Sequence, residues 1–156
     1  MASQNHQKVR ALHGDEIVGE IVEINLGESG ISILDTTDEM VFSQSKMVRG
    51  HYIYSLAESL AIAVIDAEVA LVGVANIKYK IPVYAGSKLV AKATVKRARN
   101  RSYIVWVFIY NKRQEVFRGK FILVTIDDIK TDKNRNADDS GTQAPGEGLN
   151  GNEDNG

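Results

Sequence analysis

The chain has no cysteine, which excludes disulfide cross-links, thiolate metal centres and cysteine nucleophiles. Its only prolines are Pro82 and Pro145, so no proline-rich linker divides it. It has no apolar run of the roughly 20 residues that spanning a bilayer requires. The N-terminal stretch MASQNHQKVRALHGDE lacks the apolar centre of a signal peptide. These absences lead us to expect a cytoplasmic protein with no membrane partner. Three histidines, His6, His13 and His51, share no ligand spacing, so no metal site is expected. Neither a glycine-rich phosphate loop nor a G-x-S-x-G nucleophile motif occurs, and no cofactor is implied.

What is present suits one domain. The chain has 156 residues, 44% of them hydrophobic, which is enough for one core and too little for two. Charge is unevenly spread. Residues 136–156 hold five acids (Asp138, Asp139, Glu147, Glu153, Asp154) and no Lys or Arg. With a net charge of −1 overall, residues 1–135 are left at +4. A mildly basic body suits a phosphorylated ligand such as coenzyme A, while no Arg/Lys stripe along a helix marks a nucleic-acid surface. We expect residues 1–14 to be a linker or the remnant of a helix, 15–130 a folded domain, and 131–156 a disordered acidic tail. That tail, rich in Asn, Asp and Gly, has too few large apolar groups to offset its ordering entropy.

The apolar period changes along the chain in an informative order. Ile17–Leu26 and Gly30–Thr36 read as strands, and Met40-Val41-Phe42 as a short third piece. Gly50–Asp66 switches to helical spacing through Ile53, Leu56, Ala57, Leu60, Ala61 and Val64. So apolar a helix must be buried on most sides. Strands follow at Leu71–Lys80, Lys88–Arg99, Tyr103–Tyr110 and Val116–Ile126. Tyr103–Tyr110 is apolar on both faces and should be central. Short connections between the last three strands imply an antiparallel meander. The sum is an α+β domain in which an antiparallel sheet wraps around one long central helix, the layout of the hotdog fold.

Chemistry concentrates in VFSQSKMVRGHYIYSLAESLAIAVID. Arg49-Gly50-His51 stands at the helix start, where free backbone N–H groups and the helix dipole attract a carboxylate or a thioester oxygen. Gly50 lets a ligand approach the backbone, and Arg49 offers a fork for two hydrogen bonds to a carboxylate. An ordinary loop arginine beside a turn glycine accounts for the same residues. Glu58, in mid-helix, is a candidate general base if burial raises its pKa. Equally, it faces a solvent gap or a dimer seam. Phe42, Tyr52 and Tyr54 add aromatic surface near the same place.

That stretch closely resembles the effector domain of the FapR family, repressors of fatty acid and phospholipid synthesis genes in Firmicutes. The likeness extends to Ala75-Asn76-Ile77, Lys88–Ala93 and Val116–Phe121. It implies a homodimeric hotdog sensor of malonyl-CoA, or of malonyl carried on acyl carrier protein (malonyl-ACP). Carried over by position, Arg49 pairs with the malonyl carboxylate, Phe42 lines the malonyl pocket and Gly50 contacts the ligand at the helix start. In that family DNA is bound only through an N-terminal helix-turn-helix, and the residues before the first strand do not supply one. The family has Asn where Glu58 stands. Hotdog acyl-CoA thioesterases often carry a catalytic acid there, meeting a helix-start glycine of the opposite protomer. Three readings follow: a malonyl-thioester sensor binding at Phe42, Arg49, Gly50, His51 and Glu58; a thioesterase using Glu58; and a hotdog dimer with a degenerate pocket.

Overall fold

The computed structural model of the protein describes residues 18–67, 70–100 and 102–125. The described residues form six strands: β1 (Glu20–Asn25), β2 (Ser29–Asp35), β3 (Ala70–Tyr79), β4 (Lys88–Arg99), β5 (Ser102–Asn111) and β6 (Gln114–Thr125). They form one antiparallel sheet in the order β1-β2-β4-β5-β6-β3. The helix α1 (Gly50–Val64) lies against its inner face. This is the expected hotdog arrangement, with one sheet around one helix.

The inner face explains the close embrace. Leu89, Ala91 and Ala93 of β4 are buried, as are Leu56, Ala57, Leu60 and Ala61 of α1. Alternating large and small side chains let helix and sheet interlock. Gly30 of β2 marks the closest crossing: a Cβ built there would stand 2.6 Å from Val64 Cγ1 and 3.1 Å from Leu60 Cδ1. Phe117, Phe121 and Leu123 of β6 fill the remaining space, all fully buried. Each such side chain contributes about 1.5–3 kcal/mol relative to exposure.

The helix ends where the backbone turns extended at Ile65 (φ −81°, ψ 144°), so it stops at Val64 rather than Asp66. The Gly27 N–H, in a left-handed turn (φ +79°), donates to the Val64 carbonyl at 2.7 Å and satisfies a terminal acceptor. Two further readings are corrected. Met40-Val41-Phe42 is no strand: Asp38–Met40 form a 3-10 turn, and only Val41 bridges, to Val48. Three apolar residues are too few to extend a ladder when the Phe42 N–H is drawn back onto the Met47 carbonyl at 2.9 Å. Strand β5 is indeed interior to the sheet, but only its inner residues Val105, Val107 and Ile109 are buried. Outward-facing Trp106 and Phe108 instead cover one another, stacked at 6.1 Å. The expectations for residues 1–14 and 131–156 lie outside the described residues.

Candidate functional site

The segment leading into α1 is pinned from three sides. Its Arg49 N–H donates to the Met40 carbonyl at 2.8 Å, and its Val48 N–H to the Val83 carbonyl at 2.7 Å. Met47 also bridges to Tyr84. These bonds hold the helix start beside the chain that leaves β3. Between them opens a cleft of about 290 Å³, walled by Phe42, Met47, Gly50, Ile53, Tyr79 and Pro82 among others.

The cleft meets the positive end of α1. Arg49 occupies the N-cap position in extended conformation, and no side chain caps the first turn. Of the backbone N–H groups of that turn, the Tyr52 N–H donates to the Arg49 carbonyl at 3.1 Å, and those of Gly50 and His51 are the ones without an intrahelical acceptor, so the end is electropositive. The Arg49 guanidinium carbon lies 5.8 Å from the Phe42 ring centroid, within cation–π range. Among the described residues no carboxylate forms an ion pair with Arg49. Phe42 is 53% exposed at the cleft mouth, which is unusual for so large an apolar side chain. At the inner end the Tyr79 hydroxyl donates to the Gly50 carbonyl at 2.9 Å. Burial raises the Tyr79 phenol above its usual pKa, so it stays a neutral donor through the physiological range.

Phe42, Arg49 and Gly50 therefore gather at one helix end. His51 follows them but points away: it is exposed, with its ring 4.0 Å from that of Tyr52. Glu58 stands two turns further on, about 12 Å along the axis from Gly50, and does not line the cleft. The burial imagined for it is incomplete, since it is only half-buried. Its charge is felt by Tyr54, whose pKa is raised by burial first and then by Glu58 and Tyr79. Tyr54, Glu58 and Tyr79 thus lie near one another, on the side of α1 toward strand β3.

Sequence reasoning missed the opposite wall. In the sequence Tyr79 reads as part of the strand Leu71–Lys80, and Pro82 as a residue just beyond it. The loop carrying Val83 and Tyr84 is clamped by Thr36, whose hydroxyl donates to the Tyr84 carbonyl at 2.8 Å and accepts from the Ser87 N–H at 2.9 Å. Thr36 is buried, so these bonds are screened from water. The apolar Ile81-Pro82-Val83-Tyr84, too short for a further strand, was the available signal.

Comparison with known proteins places the cleft within a matched region. The sequence pattern described as "Thioesterase superfamily" matches residues 41–117. The transcription factor FapR of Thermoanaerobacter sp. (strain X514) is 59% identical over 128 residues, covering 82% of this chain and 64% of that protein. FapR of Bacillus subtilis (strain 168) is 40% identical over 117 residues, covering 73% of this chain and 62% of the relative. The chain thus spans just under two thirds of the length of these relatives. Among solved structures, protein PH1136 of Pyrococcus horikoshii superposes with a TM-score of 0.69 at 30% identity, covering 74% of this chain and 88% of its own.

Proposed function

The chain belongs to the thioesterase superfamily as a hotdog domain of the FapR type, and from that premise we propose that it senses malonyl thioesters for a regulator of fatty acid and phospholipid synthesis. The carrying observation is Arg49, which has no carboxylate partner among the described residues, at the start of α1 beside an apolar cleft. A thioester would lie along the cleft with its acyl end toward the helix start. The malonyl carboxylate would be held by Arg49 through two charge-assisted bonds, Phe42 would cover the acyl carbons, and Gly50 would admit the ligand to the backbone N–H groups. No covalent step is required of a sensor. Its ligand acts by preferring one conformational state of the regulator, whose DNA affinity changes accordingly. We take the setting to be cytoplasmic; no helix among the described residues is long and apolar enough to cross a membrane.

The working unit is a homodimer joined along β3. That strand is a sheet edge ten residues long, with Leu71 and Val74 exposed at 45% and 55%. A long apolar edge is a template for pairing. Tyr54 and Glu58 lie on the side of α1 toward that edge, so pairing would carry them to the partner's cleft. There Glu58, where the family has Asn, would help define the pocket as a binding residue.

Isothermal titration of the protein with malonyl-CoA tests the reading. Heat that saturates at a fixed stoichiometry is expected. Arg49→Ala should weaken binding by about 1.5–3 kcal/mol, the worth of a hydrogen bond to a charged group. Acetyl-CoA, which lacks the carboxylate, should bind about as weakly to the unaltered protein. Equal affinity for both esters would remove Arg49 from the account. Heat that continues with turnover, and stops in Glu58→Gln, would make the protein a thioesterase. No saturable heat at all would leave a dimer with a degenerate pocket.

A further inference from the structure

The outer face of the sheet, opposite α1, carries a strong excess of positive charge. Register places Lys92 (β4), Arg118 (β6) and Lys78 (β3) in one row across the sheet, through Phe108 of β5. Lys120 stands opposite Trp106 in the next row, and Arg97 and Arg99 extend the face toward the end of β4. All six share the side of the outward aromatics and are exposed or half-buried. The one acid on this part of the face, Glu115, is already engaged by Lys80 and Arg118. No other described element covers the surface.

The aromatic residues hold these cations in place. Lys92 Nζ lies 5.7 Å from the Tyr110 ring centroid, and the Arg118 guanidinium 5.2 Å from that of Phe108. Phe108 in turn stacks on Trp106, with 16° between the planes. Strands lie about 4.8 Å apart, so the row from Lys92 to Lys78 spans about 14 Å. The result is an ordered array of fixed positive charge on a broad surface.

We propose that the outer face of β4, β5, β6 and β3 is a docking surface for the phosphate backbone of duplex nucleic acid. Charge selects a polyanion. A second copy presenting the same face would bring like charges together. The rings of Phe108 and Tyr110 are covered by Arg118 and Lys92, which leaves little for base stacking and favours backbone contact. Nothing in this reading depends on the malonyl cleft, which lies on the other side of the sheet. It is a contact made by the sensing domain itself, without base readout, of the kind that gives non-specific, salt-sensitive binding.

The test is fluorescence anisotropy of a labelled random-sequence duplex titrated with the whole chain in the absence of any thioester. At about 150 mM salt the expected dissociation constant is about 10⁻⁴ to 10⁻⁶ M, falling steeply as salt is lowered. Lys92→Glu and Lys120→Glu should each weaken binding about fivefold or more and reduce the log–log salt slope by about 1. Lys46→Glu, the same charge change in the loop before α1, should stay within about twofold. Circular dichroism establishes that each variant is folded, and Lys92→Gln and Lys120→Gln supply milder versions of the same change. Absence of saturable binding to the unaltered protein would overturn the proposal. So would equal effects of Lys46→Glu and Lys92→Glu. Displacement of the duplex by polyglutamate of equal charge would reassign the face to acidic peptides and overturn it as well. Because no thioester is present, failure here leaves the malonyl reading untouched, and failure of the titration with malonyl-CoA leaves this one standing.

Discussion

Replacing Gly50 with Ala separates the binding role of the helix start from its structural role. A Cβ at this position would stand 3.2 Å from both Cζ and Oη of Tyr79. The Tyr79 ring must therefore yield by a few tenths of an ångström. It can do so, because Tyr79 ends the edge strand β3 and is 46% exposed. Its bond to the Gly50 carbonyl, 2.9 Å long, would be strained or lost, costing about 0.5–1.5 kcal/mol. Ala in place of Gly stabilises a helix interior by up to about 1 kcal/mol, and less in the first turn. The two nearly cancel, so the melting temperature should move by no more than about 4–8 °C in a domain of this size. Ligand binding has no such compensation. The new methyl group enters the cleft where the ligand approaches the backbone, and loss of one hydrogen bond there weakens affinity about tenfold. Calorimetric melting and titration with malonyl-CoA read both quantities. Tyr79→Phe provides the converse, removing only the hydroxyl, so stability should fall while affinity holds. A folded Gly50→Ala protein that binds malonyl-CoA as tightly as before would refute the placement of ligand at the helix start.

Two further outcomes follow from other parts of the molecule. Thr36→Val keeps the shape of a buried side chain but leaves the Ser87 N–H without its acceptor and the Tyr84 carbonyl with the Ser87 hydroxyl as its remaining donor; a loss of about 1–3 kcal/mol in denaturant unfolding is expected. Glu115 has its pKa lowered by hydrogen bonds from Lys80 and then Arg118. A carboxyl with a depressed folded pKa contributes stability that is present above its unfolded value and lost as pH falls through the folded one. Stability should therefore decline below about pH 4.5, and Glu115→Gln should flatten that decline in unfolding curves taken from pH 3 to 7.

The fold was legible because its strongest signals are local. Strand β4 alternates from Lys88 to Val95, before a bulge between Val95 and Arg97, and its bounds, Lys88–Arg99, coincide with those expected. The buried side of α1 follows directly from the three- and four-residue spacing of Ile53, Leu56, Leu60 and Val64. Where periodicity is short the expectation fails, as at Met40-Val41-Phe42, because backbone bonds to residues five to nine positions on, and not the apolar pattern, decide the segment. The basic face of the sheet illustrates the same limit. Lys92, Arg118 and Lys78 form one row only after four strands pair, and no helical stripe announces them in the sequence.

The site divides along the same line. Phe42, Arg49 and Gly50 lie within nine consecutive residues, so a helix start and its loop suffice to gather them. Tyr79 and Pro82 reach the same cleft through the chain that leaves β3, a contact thirty residues away that pattern cannot foresee. Glu58 is the hardest case. An acid in an apolar helix suggests burial and a shifted pKa, yet in the single chain it is half-buried and stands away from the cleft. What it does share is a side of α1 with Tyr54, toward the open β3 edge. In the homodimer proposed above, pairing would carry this carboxylate to a second cleft, and it would meet a desolvation penalty only when dimer and ligand form. The physical question about Glu58 therefore belongs to the assembly. The measurement to make is the affinity of Glu58→Gln for malonyl-CoA against that of the unaltered protein: a change is expected if Glu58 reaches the partner's cleft, and equal affinity would remove it from the pocket.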